Sequence, residues 1–330
     1  MNFKEEILRL KKELDVTIVA HFYQKDEVFE MGDIVGDSLE LAKKAMACES
    51  ENILFCGVGF MGQSVKVLAP HKRVMMPKIA CCAMAKMIDV EYYKMNLKIL
   101  NEAGIANEDI LPITYINSSA EVKAEVGKMG GYVCTSSNAF KIINRGLESG
   151  KKIFFVPDRC LGQNFAKQIG LKSAVVGIDD IEDVKKADII CFNGFCSVHQ
   201  LFTPEDVDFY KEKYPDILVA VHPECDPAVC DKADFVGSTS QLIKYITEDI
   251  SEDQKVVVGT EYNMVNRLRD KNTYILSSTK PECPTMNETT LEDLYNSLVS
   301  IKNGTYDNEI TISEDVEKYA KIALVRMLEV

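Results

Sequence analysis

Short apolar runs rich in valine and isoleucine recur along the chain: Val16 to Ala20, Asn52 to Cys56, Arg73 to Met76, Ile113 to Ile116, Lys152 to Val156, Ala187 to Cys191, Ile217 to Val221 and Lys255 to Gly259. Runs this short and this uniformly apolar predict strands buried on both faces. Between them the pattern changes to helical spacing, as in Ser38-Leu-Glu-Leu-Ala-Lys-Lys-Ala, Gly62-Gln-Ser-Val-Lys-Val-Leu and Asn138-Ala-Phe-Lys-Ile-Ile. Strand alternating with helix predicts parallel α/β units joined by right-handed crossovers. Ile7, Leu8, Leu10 and Leu14, and the amphipathic stretch from Ser313 to Leu328, predict helices docked at the two ends.

The polar residues that interrupt this pattern recur three times in one order. A strand ends in His21-Phe-Tyr23, in Tyr115-Ile-Asn117 and in His222-Pro-Glu224. A second block reaches Ser38, Ser136 and Thr239 at 17, 21 and 17 residues past His21, Tyr115 and His222. Cys82, Cys196 and Cys283 then follow at 44, 60 and 44 residues. Such repetition predicts an α/β fold of three related parallel α/β domains, arranged with pseudo-threefold symmetry around a central active site. Each unit holds about four strands and three helices, the boundaries falling at 1–87, 88–198 and 199–330.

Ligands sit at the carboxyl ends of strands in such sheets, which is where the first blocks fall. The second blocks put Ser, Thr or Asp ahead of a helical pattern, where the side chain caps free N–H groups and the helix end favours an anion. Three equivalent thiols brought to one point would hold three irons of a [4Fe-4S] cluster and leave the fourth open. An open iron acts as a Lewis acid on a leaving hydroxide, so the chemistry it suits is dehydration.

Composition narrows the partners. The chain has 330 residues, 46% hydrophobic and 27% charged, with a net charge of −13. That balance is ordinary for a globular protein and offers no footprint for nucleic acid or an anionic membrane. No apolar stretch reaches membrane-spanning length, and the acids in Met1-Asn-Phe-Lys-Glu-Glu are foreign to a signal peptide, so a cytoplasmic location is expected. Eleven cysteines at irregular spacing speak for reduced thiols or metal ligands rather than disulfides. Cys48, Cys56, Cys134 and Cys160 read as buried apolar residues. Cys81 and Cys82 are neighbours that point to opposite sides of an extended chain. Cys191 with Cys196 and Cys225 with Cys230 admit a zinc site of loose spacing. Gly57-Val-Gly59-Phe-Met-Gly62 matches a dinucleotide fingerprint, but the Met75 to Ile79 region holds no acid where the ribose ligand belongs.

Taken in order, Ala20-His21-Phe-Tyr23-Gln24, Val35-Gly36-Asp37-Ser38-Leu39-Glu40-Leu41-Ala42, Phe60-Met61, Tyr115-Ile-Asn117, Cys134-Thr135-Ser136-Ser137-Asn138-Ala139, Pro157-Asp158-Arg159-Cys160-Leu161-Gly162, Gly194-Phe195-Cys196-Ser-Val-His199, His222-Pro223-Glu224-Cys225, Gly237-Ser238-Thr239, Gly259-Thr260-Glu261 and Cys283-Pro-Thr-Met286 resemble the quinolinate synthase family over nearly the whole chain. The resemblance implies a cytoplasmic enzyme of NAD biosynthesis. It would condense iminoaspartate with dihydroxyacetone phosphate to quinolinate, releasing phosphate and two waters. It also implies a [4Fe-4S] cluster on Cys82, Cys196 and Cys283, and substrate contacts from His21, Ser38, Tyr115, Ile116, Asn117, Ser136, His199, His222, Pro223, Glu224 and Thr239. Glu224, with Tyr23, His21 and Tyr115, is the expected catalytic group. The enzyme that supplies iminoaspartate is a candidate partner. An aconitase-like hydro-lyase, a non-catalytic iron-sulfur sensor and a nicotinamide-dependent dehydrogenase are the alternatives.

Overall fold

The computed structural model describes residues 2–269 and 272–330. Strands β1 (Val16–His21), β2 (Ile34–Gly36), β3 (Asn52–Cys56) and β4 (Arg73–Met75) form a parallel sheet in the order β2-β1-β3-β4. A second sheet holds β5 (Ile110–Tyr115), β6 (Tyr132–Cys134), β7 (Lys152–Val156), β8 (Ser173–Val175) and β9 (Ile189–Cys191), in the order β6-β5-β7-β9-β8. The third, with β10 (Leu218–Val221), β11 (Phe235–Val236), β12 (Val256–Gly259) and β13 (Thr273–Ile275), repeats the first as β11-β10-β12-β13. The second differs by one strand, β8, added outside β9. Three parallel sheets with helices on their faces are the α/β architecture the repeats predict.

Register explains the repeat. His21 pairs with Gly36, Tyr115 with Cys134 and Val221 with Val236. The first and second polar blocks of each unit are therefore the carboxyl ends of two hydrogen-bonded neighbours, always the first strand and its outer partner.

Both chain ends dock as helices, because each buries an apolar stripe. Phe3–Glu13 packs on Leu291–Asn303, and Glu314–Leu328 packs on Ala120–Lys128 in the second unit. The second contact needs Gly127: a Cβ there would lie 2.0 Å from the Tyr319 carbonyl oxygen. One apolar core, with Val19, Phe55, Ile113, Phe154 and Leu324, runs through the first two units. The third sheet is flanked by two separate clusters, one around Val219 and Val257 and one around Ala220 and Val258. Many of its contacts with the first unit are polar. Arg267 donates to the carbonyls of Phe22 and Gln24 and to Asp26, and Asn263 Nδ2 donates to the Tyr23 carbonyl at 3.1 Å. The strand ends of all three sheets meet along this seam. Among the described residues, no helix is long and apolar enough to cross a membrane.

Candidate active site

A cavity of about 70 Å³ lies where the strand ends converge. The first unit contributes His21, Tyr23, Ser38 and Cys82; the second Tyr115, Asn117, Ser136 and Cys196. His199, on the loop after β9, joins His222, Glu224, Thr239 and Cys283 from the third. Two expected contacts stand outside. Ile116 is buried, with its N–H given to the Cys134 carbonyl and its own carbonyl occupied by Lys123 Nζ. Pro223 faces a neighbouring recess of about 570 Å³, which shares Ser136 and Ser137 with the cavity.

One chain of polar contacts crosses all three units. Tyr115 Oη donates to Glu224 Oε1 at 2.6 Å, and Glu224 Oε2 lies 3.0 Å from His199 Nδ1, close enough to pair but bent away from a linear hydrogen bond. His199 Nε2 meets Thr260 Oγ1 at 3.1 Å, and Thr260 Oγ1 meets Tyr23 Oη at 3.0 Å. Tyr23 Oη also meets Thr239 Oγ1 at 2.9 Å. Glu224 is 4% exposed, so it is no solvated carboxylate beside a turn. Burial opposes its charge, but the His199 and His222 rings and the Tyr115 hydroxyl outweigh it and hold the carboxyl down at about 2. Burial and the Glu224 charge push both Tyr23 and Tyr115 well above the usual phenol range. Glu224 is thus an ionised acceptor facing hydroxyl donors.

His21 and His222 are equivalent in detail. The Tyr23 N–H donates to His21 Nδ1 at 3.1 Å and the Glu224 N–H to His222 Nδ1 at 3.3 Å, which leaves the ring proton on Nε2 in each. Burial pushes His21 down to about 4, against the pull of Asp37, and His222 down to about 3, against Glu224. Below pH ~6.5 the unfolded chain binds a proton on each ring that the folded chain refuses, so each ring costs stability as pH falls, about 1.4 kcal/mol per pH unit. Glu261 works the other way. Burial raises its carboxyl to about 8, so folding holds a proton there that the unfolded chain releases above pH ~4.5. A melting curve sums these opposed effects, whereas imidazole NMR reads the rings directly. Two of the four histidines are expected not to titrate between about pH 8 and about pH 5.5; midpoints near 6.5 for all four would refute the burial argument.

The capping blocks are equivalent in place but not in detail. Asp37 caps Ser38–Ala47 through Oδ1, accepting from the N–H groups of Leu39 and Glu40, both at 3.0 Å. Ser238 caps Thr239–Lys244 in a capping box with Gln241. In the middle unit Asn138 holds the cap position before Ala139–Leu147, yet its Oδ1 turns back to the Thr135 N–H, so the expected cap near Ser136 does not form. The three blocks are tied across the units instead. Asp37 Oδ2 accepts from Ser137 Oγ at 2.9 Å and from Ser240 Oγ, and Ser137 Oγ meets Ser238 Oγ at 3.0 Å.

Cys82 feels the charge of Cys283, Cys196 feels those of Cys82 and Cys283, and burial pushes all three thiols up, Cys82 to about 12. Three buried sulfurs with raised pKa values stay neutral alone and become thiolates when a cationic centre binds, so the donor set fits a cluster. Cys81 is exposed, which resolves the choice between neighbours in favour of Cys82 as the cavity-facing thiol. The four-cysteine zinc reading does not assemble. Cys191 and Cys225 are fully buried, Cys225 Sγ donating to the Gly259 carbonyl at 3.4 Å, and Cys230 Sγ lies 3.3 Å from Asn164 Nδ2. Among the described residues, the grouping that could hold a single ion is Cys196, His199 and Glu224, with ligand atoms within 4.8 Å of one another.

Residues 5–329 match the family model described as Quinolinate synthetase A protein. The chain belongs to that family. It is 55% identical to the quinolinate synthase of Helicobacter pylori (strain ATCC 700392 / 26695) over 99% of this chain and 98% of that protein. It is 40% identical to the quinolinate synthase of Streptomyces coelicolor over 95% of this chain and 84% of that one, and 39% identical to that of Geobacillus sp. (strain WCH70) over 94% and 88%. Likeness of this extent makes the chain an enzyme of the quinolinate synthase type.

In this quinolinate synthase relative the glycine-rich segment is a wall, not a nucleotide loop. A Cβ at Gly57 would lie 2.7 Å from the Phe55 ring and one at Gly62 2.9 Å from Met76 Sδ, while Phe60 and Met61 line the cavity. Sequence reasoning gave Asp37 only a helix cap and gave no role to Thr260, Glu261 or Met286. Thr260 links Tyr23 to His199, and Glu261 Oε1 accepts the Cys283 N–H at 3.2 Å. Asp37, Glu261 and Met286 line the cavity beside the expected residues. All four stand inside motifs of the family resemblance, a signal of membership that carried no role.

Proposed function

We propose that this enzyme condenses iminoaspartate with dihydroxyacetone phosphate to quinolinate, with release of one phosphate and two waters, in the NAD biosynthesis of the cytoplasm. The reaction is redox-neutral, so no electron acceptor is needed. The observation that carries the reading is the convergence of one thiol from each of three units on a cavity that also holds the buried, ionised carboxylate of Glu224.

Cys82, Cys196 and Cys283 are the residues that would hold a [4Fe-4S] cluster. When bound, such a cluster supplies Lewis acidity toward a substrate hydroxyl or carboxylate. The rest falls to the protein. Nε2–H of His21 and of His222 donate to a carboxylate or carbonyl oxygen, as does the Asn117 amide. Ser38, Ser136 and Thr239 hold a phosphate or carboxylate through hydroxyls at or just ahead of helix starts. Glu224 Oε accepts the proton released in tautomerisation and ring closure, and Tyr115 Oη returns one. Val58, Phe60 and Met286 wall the cavity and keep water from the imine.

The test is anaerobic reconstitution with iron and sulfide, followed by assay with dihydroxyacetone phosphate and iminoaspartate. Quinolinate and phosphate are expected in equal amounts, with roughly four irons per chain. Loaded protein that makes no quinolinate would overturn the reading; turnover of a hydroxy acid without dihydroxyacetone phosphate would favour the hydro-lyase. A single ion on Cys196, His199 and Glu224 is the second reading, and it would appear as one metal without labile sulfide.

A further inference from the structure

Lys123 is fully buried in the helix Ala120–Lys128, and nothing in the condensation above uses it. An amine taken out of water is costly unless its donors are used, so its retention in a core calls for a reason. Its partners supply one. Nζ donates to the Ile116 carbonyl at 2.7 Å and to the Ser118 carbonyl, the two backbone groups on either side of Asn117. It also lies 5.4 Å from the centre of the Phe60 ring, a cavity wall that comes from the first unit. At the start of the same helix, the Ala120 N–H donates to Gln63 Oε1 at 3.1 Å, a second tie between these two units.

The loop is pinned from its other side as well. Thr114 Oγ1 donates to Ser118 Oγ at 2.8 Å, Ser118 Oγ donates to the Tyr115 carbonyl at 3.1 Å, and the Ile116 N–H donates to the Cys134 carbonyl at 2.8 Å. The Asn117 side chain, in contrast, makes no hydrogen bond to any described residue and faces the cavity. Everything around it is fixed, and it alone is left free for a ligand. Burial pushes the Lys123 amine down to about 7, and Glu121 on the same helix is the charged group that opposes this.

Resting on the functional reading above, we infer that Lys123 is a positioning residue: it clamps the backbone on both sides of Asn117 and so aims the Asn117 amide at the substrate. Methionine matches the lysine stem in length and packing and carries no donor, so Lys123→Met isolates the clamp. Asn117→Ala, assayed with each substrate varied in turn, identifies the substrate that Asn117 holds and should raise its KM by roughly 10- to 100-fold, as expected for a lost hydrogen bond to a charged group. Lys123→Met should raise the same KM by about tenfold and change kcat by less than about threefold, and in the Asn117→Ala background it should add less than about threefold. A general structural role would give the same loss in both backgrounds, and that result overturns the proposal.

Amide hydrogen exchange in the peptide spanning 115–119 is the second measurement, made on the full chain without substrate. Exchange about tenfold faster in Lys123→Met, with the β5 and β7 amides unchanged, is expected, and an unchanged loop overturns the clamp. This arm stands even if the wild type makes no quinolinate, which would sink the functional reading instead. If the methionine variant does not fold, Lys123→Gln keeps one of the two donations and should give smaller shifts of the same kind.

Discussion

Glu224→Gln is expected to lower quinolinate formation by about 10² to 10⁴-fold while leaving iron content and the visible spectrum unchanged. Glutamine has the shape of the glutamate and removes its charge and its basicity, so a loss reports chemistry rather than packing. The expectation is large because Glu224 is the anion at the centre of the chain from Tyr115 through His199 and Thr260 to Tyr23. Without it, the Tyr115 hydroxyl loses an ionised acceptor at 2.6 Å, and His199 loses the group that orients its ring. The phenols cannot take over as bases, since burial and the same carboxylate hold them protonated. Tyr23→Phe, which removes one end of the chain, should cost less, about tenfold. Turnover of the glutamine variant within threefold of wild type would remove Glu224 as the base.

The main lines of the fold were legible because a parallel sheet buried on both faces writes uninterrupted apolar runs into the sequence. Asn52–Cys56 and Lys152–Val156 are read to the residue. The strands that were not read, among them Ile34–Gly36, Tyr132–Cys134 and Phe235–Val236, are two or three residues long and end in the polar blocks, so no periodicity marks them. The three thiols could be chosen because they keep their order in a repeat, a property of the chain. Thr260 could not, because its role is to stand between Tyr23 and His199, which come from 237 and 61 residues away. The Asp37, Ser137, Ser238 and Ser240 cluster was hidden for the same reason. Each residue looks like an ordinary cap until the three units are set against one another. Asn138 shows the limit of capping rules, since its side chain serves the turn before the helix and not the helix.

Replacing Cys82, Cys196 or Cys283 by serine should each leave a protein that folds but binds well under the roughly four irons expected of the wild type, with activity lost in proportion. Each thiol comes from a different unit, and the one adjacent thiol, Cys81 beside Cys82, is exposed and does not line the cavity, so none has a neighbour placed to step in. Serine is a poor substitute because its hydroxyl stays protonated where a thiol near a cationic centre ionises. Cys81→Ser is the matched control. Cys81 is exposed and Cys82 faces the cavity, so the neighbouring substitution should retain full iron and sulfide. Cys225→Ser tests the zinc alternative in the same way, because a buried sulfur bonded to the Gly259 carbonyl can be lost without touching the site. The informative comparison is therefore iron and labile sulfide across these five variants after identical anaerobic reconstitution. Full loading in any of the three cavity variants, or loss in Cys81→Ser, would show that the sulfurs brought together by the three units are not the ones that bind.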